Sequence, residues 1–171
     1  MGNLHKGHMA LIDKAKSYDS HVIASIFINP LQFNDASDFK NYPKSIDDDI
    51  ALLSEHGCDY LFIPDSSILE NIKEIKASDK ALYLCGMNRP GHFDGVLTIV
   101  NKLFEIIKPT RSFFGKKDFQ QLTLITNFVK ENNLPIEIIS VDTVRELNGL
   151  AMSSRNNRLS ESDREKASKL Y

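Results

Sequence analysis

Two imidazoles stand three residues apart in His5-Lys6-Gly7-His8. A run with helical spacing follows, its apolar positions being Leu4, Met9, Ala10, Ile12 and Ala15. Residues three apart share a helix face, so both rings project together. The first turn of a helix carries unpaired N–H groups and the positive end of the helix dipole. Imidazole N–H donors beside that end can bind a triphosphate and follow its charge as a bond breaks. Asn3 is a good N-cap and Gly2 permits a tight turn before it. Gly7 costs about 1 kcal/mol against alanine inside a helix, and a ligand lying against the backbone would explain it. The bare pair taken alone reads more readily as two surface histidines near a helix start.

Four other stretches carry groups suited to the same chemistry. In Asn29-Pro30-Leu31-Gln32-Phe33, two amides suit a small substrate with hydroxyl and carboxylate groups, although a plain strand-ending turn reads the same way. Arg89-Pro90-Gly91-His92-Phe93-Asp94-Gly95 offers an arginine able to hold a carboxylate bidentately and a third histidine. Its alternative is a structural turn. In Gly115-Lys116-Lys117-Asp118, glycine lets a ligand approach, lysine reaches phosphate and the aspartate sits at a helix start. It lacks the glycine spacing and Lys-Ser/Thr of a P-loop, and a capped helix with solvated lysines also accounts for it. Met152-Ser153-Ser154-Arg155-Asn156 reads as a mobile clamp for leaving phosphates, or as a polar linker.

These groups need a frame, and the chain can supply one. Its 171 residues suffice for one domain with a substantial core. Net charge is −2, which does not mark a nucleic-acid or membrane-surface binder. No apolar run is long enough to span a bilayer and no signal peptide is visible. Cys58 and Cys85 have no metal-ligand spacing and read as reduced thiols of a cytoplasmic protein. Helices are expected at 4–17, 46–56 (capped by Ser45), 96–108, 118–132 and from Ser160 onward. Strands are expected at 21–28, 60–63, 111–114 and 136–141. Residues 34–43 and 89–95 read as loops, and 66–84 as short strands and turns. This alternation implies an α/β fold: a Rossmann-like, doubly wound parallel sheet with ligands beyond the carboxyl ends of its strands.

Taken in order, these motifs resemble the pantothenate synthetase (pantoate–β-alanine ligase) family of the nucleotidyltransferase superfamily, whose members carry two histidines flanking a glycine. His5–His8, NPLQF at 29–33, RPGHFDG at 89–95, KDFQQ at 117–121, TVRE at 143–146 and GLAMSSRN at 149–156 carry the likeness. The resemblance implies two steps in one site. Pantoate attacks the α-phosphate of ATP to give pantoyl adenylate and pyrophosphate. The amine of β-alanine then displaces AMP to give pantothenate. It further implies that Met1, Gly2, Asn3, Leu4, His5, Lys6, Gly7 and His8 line the ATP site, with His8 as proton donor. Gly115, Lys116, Lys117 and Asp118 should contact ATP, with Lys117 at phosphate and Asp118 at ribose. Val144 should lie near adenine, and Met152, Ser153, Ser154 and Arg155 over the triphosphate. Gln32 and Gln121 should hold pantoate, with Asn29 and Arg89 as further substrate contacts. His8, His5, Lys117 and Arg155 are the catalytic set. Mg²⁺ should arrive with ATP rather than in a site of its own, with Asp48 and Asp49 able to assist, and a homodimer is implied.

The sequence also departs from the family pattern. Lys116 stands where glutamate is usual. A strand expected before the Met1-Gly2 turn, in the middle of the sheet, is missing, and so is most of a C-terminal domain. Residues 1–159 are then the ATP- and pantoate-binding domain, and 160–171 the start of the next. Two alternatives follow: a nucleotide-binding fragment with impaired turnover, and another nucleotidyltransferase with the same histidine motif.

Overall fold

The computed structural model describes residues 2–169 apart from 19–20, 35 and 43–44. Met1, assigned above to the ATP site, lies outside the described residues. The first helix, α1 (Lys6–Lys16), buries Met9, Ile12 and Ala15 on one face. It is followed by β1 (Ile23–Ser25), the short α2 (Ala36–Lys40), α3 (Ile46–Glu55) and β2 (Tyr60–Phe62). Three 3-10 turns occupy Ser66–Leu69, Asp79–Leu82 and Leu84–Gly86. Then come α4 (His92–Ile107), β3 (Arg111–Gly115), α5 (Phe119–Glu131), β4 (Glu137–Val141), a 3-10 turn at Ser154–Arg158 and α6 (Glu161–Ser168).

The strands form two parallel pairs. β1 lies beside β2 with Ile23 opposite Tyr60, and β3 lies beside β4 with Arg111 opposite Glu137. Each pair carries its own apolar cluster. Met9, Ile12, Val22, Ile26 and Leu53 pack α1 and α3 on β1. Val96, Leu97, Phe104, Ile125 and Phe128 pack α4 against α5. Between the pairs lies an apolar cavity of about 280 Å³, walled by β1 residues Ile23–Ser25, by Phe113 and Phe114 of β3, and by Met9 and Phe104. Among the described residues, no strand lies between β1 and β3.

Several elements differ from their sequence reading for identifiable reasons. Residues 34–43 contain α2 because Phe33 gathers Phe39 and Tyr42 edge-on, at 5.4 and 5.9 Å between ring centres. The stretch 89–95 is not all loop, since α4 begins at His92. Pro90, Gly91 and Gly95 depress helix propensity locally. Gly95 is nevertheless required inside the helix, because a Cβ there would stand 2.2 Å from the carbonyl oxygen of Leu31. The stretch 66–84 forms turns rather than strands. The long apolar run at 21–28 keeps only three residues of regular strand, although Val22 and Ile26 are buried beside it.

The two crossovers run in opposite directions from the middle, β1 to β2 on one side and β3 to β4 on the other. Such a reversal leaves a crevice at the carboxyl ends of the strands. The loops at 26–33, 115–118 and 142–144 all leave the sheet there.

Candidate active site

The loop leading into α1 is shaped from within. Gly2 and Asn3 both take left-handed backbone angles, φ 83° and 52°. This turns the N–H groups of Asn3 and Leu4 onto the carboxylate of Asp49, at 2.8 and 2.7 Å. Asp49 is only 2% exposed and lies in the first turn of α3. The helix cap is therefore His5 rather than Asn3. Its Nδ1 accepts from the Gly7 N–H at 3.1 Å, and the His8 Nδ1 accepts from the His5 N–H at 3.2 Å. The His5 ring crowds this position, since a Cβ at residue 7 would come within 2.9 Å of the imidazole, and Gly7 also lines the polar cleft.

The arrangement fixes both tautomers. A ring nitrogen that accepts from a backbone N–H carries no proton, so each neutral imidazole holds its proton on Nε2. The ring centres are 4.0 Å apart. Burial holds the His8 pKa down to about 3, helped by His5 and Lys117. Burial, then Lys117, also lowers that of His5. Near neutral pH both rings are uncharged donors. The amides of Asn3, Leu4, His5 and Gly7, expected as an anion cradle, are already taken by side chains. The donors this segment presents are imidazoles.

A polar cleft of about 300 Å³ brings together most of the residues singled out in the sequence. Its walls include His5, Gly7 and His8 from α1, Gln32 after β1, Arg89 before α4, and Gly115, Lys117, Asp118 and Gln121 after β3. Val144, Met152, Ser153, Ser154 and Arg155 close the far side. A Cβ on Gly115 would meet nothing within 4 Å, so the space before it is open. Lys117 Nζ lies 3.3 Å from Asp118 Oδ1, which places a cation and a carboxylate at the start of α5.

The Ser-Ser-Arg segment is tied down at several points. Ser154 Oγ donates to the Asn3 carbonyl at 3.0 Å. Asn156 Nδ2 donates to Glu146 Oε1 at 2.7 Å, and Arg158 to the Asn41 carbonyl at 3.1 Å. The Arg155 guanidinium lies over the Tyr42 ring, 5.6 Å from its centre.

Other named residues stand apart from this wall. Gly2 and Leu4 face apolar cavities elsewhere, and the backbone of Asn3 is held by Asp49. Lys6 is exposed on the outer face of α1. Lys116 is not part of the wall, although it pairs at 2.6 Å with Asp142, which is. Asn29 is 2% exposed and spans two loops, its Nδ2 donating to the Gly95 carbonyl at 2.9 Å and its Oδ1 accepting from Leu31 N–H at 3.0 Å. Sequence reasoning did not place Phe33, Tyr42, Asp142 or Thr143 in the wall. The aromatic spacing Phe33, Phe39, Tyr42 was the available signal for Tyr42.

Helices packed on two parallel strand pairs, with a cleft at the carboxyl ends of the strands, match a nucleotidyltransferase-type Rossmann-like fold. The solved pantothenate synthetase of Thermus thermophilus superposes with a TM-score of 0.96 at 43% identity, over 100% of this chain and 63% of that one. A Francisella tularensis pantoate–β-alanine ligase, solved with beta-gamma ATP and beta-alanine, gives 0.94 at 43% identity over 100% and 67%. Pantothenate synthetases of Acinetobacter baylyi and Leptospira biflexa are 46% and 51% identical over 100% and 98% of the chain. The chain spans about 62% and 61% of the length of these two relatives. The family described as Pantoate-beta-alanine ligase matches residues 1–171, and the chain belongs to that family.

Proposed function

We propose that the chain performs the ATP-dependent condensation of pantoate with β-alanine through pantoyl adenylate, releasing pyrophosphate and then AMP. The observation that carries this reading is the cleft itself: His5, His8, Lys117, Arg155, Gln32 and Gln121 line one cavity at the sheet's switch point. The Francisella tularensis relative, solved with beta-gamma ATP and beta-alanine, supports the substrate assignment.

In the first step the protein aligns a carboxylate with the α-phosphorus and stabilises charge on the departing pyrophosphate. Gln32 and Gln121 hold pantoate, with Arg89 beside them. Lys117 and Arg155 meet the phosphates with Met152 closing over them, Asp118 meets the ribose, and Val144 lies on the adenine side. His5 and His8 act as neutral Nε2–H donors to the reacting phosphates. A ring whose pKa lies near 3 is not a reservoir of imidazolium, so hydrogen bonding rather than proton release is the role that suits His8. No residue need become acylated, because the activated intermediate is the substrate's own adenylate.

Among the described residues, no group of three or more His, Cys, Asp or Glu is placed to hold a metal. A Mg²⁺ would enter on phosphate oxygens and keep much of its water. Asp49 has both oxygens engaged by backbone N–H groups, and neither it nor Asp48 lines the cleft.

A homodimer and a cytoplasmic setting belong to the same reading. Leu82, Tyr83, Leu84, Met87 and Phe119 are each 66–74% exposed, an apolar display of the kind an interface covers. Cys58 and Cys85 are free thiols, as suits a reducing compartment. No described helix is long and apolar enough to cross a membrane.

The direct test is pantoate-dependent exchange of labelled pyrophosphate into ATP. Exchange that requires pantoate supports the reading, and its absence removes it.

A further inference from the structure

The first step uses donors, but the second must dispose of a proton. An amine that attacks an acyl adenylate becomes a positively charged nitrogen in the addition intermediate, and that nitrogen must lose a proton before the amide can form. Lysine and arginine of the cleft are donors only, and the cleft carboxylates of Asp118 and Asp142 are engaged by Lys117 and Lys116. His5 and His8 present Nε2–H, having committed Nδ1 to the backbone. A different acceptor is needed.

His92, the first residue of α4, is wired in the opposite sense. Its Nδ1 lies 2.7 Å from the carbonyl oxygen of Gln32. A carbonyl only accepts, so Nδ1 carries the proton and Nε2 of the neutral ring is left with a lone pair. Among the described residues, the single buried side-chain nitrogen or oxygen without a partner is Asn127 Nδ2. His92 Nε2 is not such an atom and is engaged by no group among the described residues, and the residue lines the cleft. The placement is rigid. The ring packs on Phe93 at 4.8 Å between centres, and Arg89 Nη2 approaches the same Gln32 carbonyl at 3.4 Å. Asn29 and Gly95 lock the base of α4 to the 29–32 turn. Asp118 and Arg155 act on the ring electrostatically from other elements, and burial keeps the ring neutral near pH 7.

Resting on the function proposed above, we infer that His92 is the proton acceptor of the amide-forming step. The incoming ammonium loses its first proton to water, and the amine lone pair then forms the C–N bond at the acyl carbon. The intermediate's N–H proton passes to His92 Nε2. The C–O bond to phosphate breaks with its electron pair, and AMP departs. The imidazolium, still hydrogen-bonded to the Gln32 carbonyl, returns its proton to water.

The experiment compares two nucleophiles acting on enzyme-bound pantoyl adenylate in single-turnover mode: β-alanine, and hydroxylamine, a weakly basic amine with little need of a proton acceptor. His92→Asn keeps an N–H donor for the Gln32 carbonyl while deleting Nε2. The rate ratio of β-alanine to hydroxylamine should fall about 100-fold, the lower range for general-base catalysis. A ratio within about threefold of the parent chain, or equal loss with both nucleophiles, would overturn the inference. Imidazole ¹⁵N NMR of the unsubstituted chain gives a check independent of any variant. It should show Nδ1–H for His92 and Nε2–H for His5 and His8, and an Nε2–H tautomer at His92 would equally overturn it. Failure of pyrophosphate exchange in the parent chain removes the underlying reading, whereas intact exchange with an unmoved ratio removes this inference alone.

Discussion

The starts of α1 and α4 face one cleft and both carry histidine, yet they are built in opposite electrical senses. At α1 the backbone donates into the rings, so His5 and His8 turn N–H groups outward. At α4 the ring donates into a backbone carbonyl, so His92 turns a lone pair outward. The side chains are chemically identical, and the loop around each decides whether it gives or takes a hydrogen bond. A histidine motif therefore specifies a role only together with the main-chain partner of its inner nitrogen.

The largest expected effect tests the donor side. His8→Ala should reduce pantoate-dependent pyrophosphate exchange by about 10²–10³-fold, the usual cost of removing one preorganised donor. Exchange measured at saturating ATP would show it. A loss below about tenfold would mean that the α1 rings are not the principal donors. Next comes the loop that aims them. Asp49→Ala leaves the N–H groups of Asn3 and Leu4 without their acceptor, at about 1–3 kcal/mol for each orphan. Thermal melting should drop by about 5–10 °C, and Asp49→Asn should recover part of it through its remaining oxygen. On the acceptor side, Gly95→Ala would drive a Cβ to 2.2 Å from the Leu31 carbonyl oxygen, costing about 1–3 kcal/mol by overpacking. Calorimetry should register the loss, together with a weakened His92–Gln32 contact.

A smaller effect appears in the pH dependence of stability. The folded pKa of His8 is depressed from 6.5 to about 3, so the unfolded chain binds more protons between those values. The His8 contribution is fully present above pH 6.5 and is lost as pH falls toward 3. Melting temperature should decline over that window more steeply in the parent than in His8→Asn, and parallel curves would contradict the burial of this ring. The smallest effect concerns Lys116, which is exposed, stands outside the cleft wall and pairs with Asp142 at its edge. Lys116→Ala should change ATP affinity by less than about twofold in calorimetric titration, as expected for an exposed pair.

Much of the frame was legible in the sequence because apolar runs and caps signal it locally. Ser45 and Ser160 precede helices, and the strands at Tyr60, Arg111 and Glu137 begin where β-rich runs begin. Convergence of the loops on one cleft followed from parallel topology alone. What escaped depends on contacts distant in sequence. Asp49 reads as an ordinary acidic helix start, and nothing near it announces that its carboxylate holds a loop 45 residues away. Asn29 reads as a substrate amide because its partner, the Gly95 carbonyl, lies 66 residues off. Gly7 suggested ligand approach and Gly95 read as part of a loop, and a Cβ at either would also crowd protein atoms. Ring polarity at His5, His8 and His92 was invisible for the same reason, since it is set by which backbone group meets Nδ1.

The internal carboxylate at Asp49 has a consequence for how the cleft meets small ions. An empty ring of amides is a receptor that sulfate or orthophosphate can enter and remould. Here the protein supplies its own counterion, so buffer anions find the amides of Asn3 and Leu4 taken and those of His5 and Gly7 held by the rings, and must compete for solvated side chains, where ionic strength blunts them. Discrimination then rests on a ligand long enough to bridge imidazole, ammonium and guanidinium together, and a lone oxyanion touching one of them should dissociate readily.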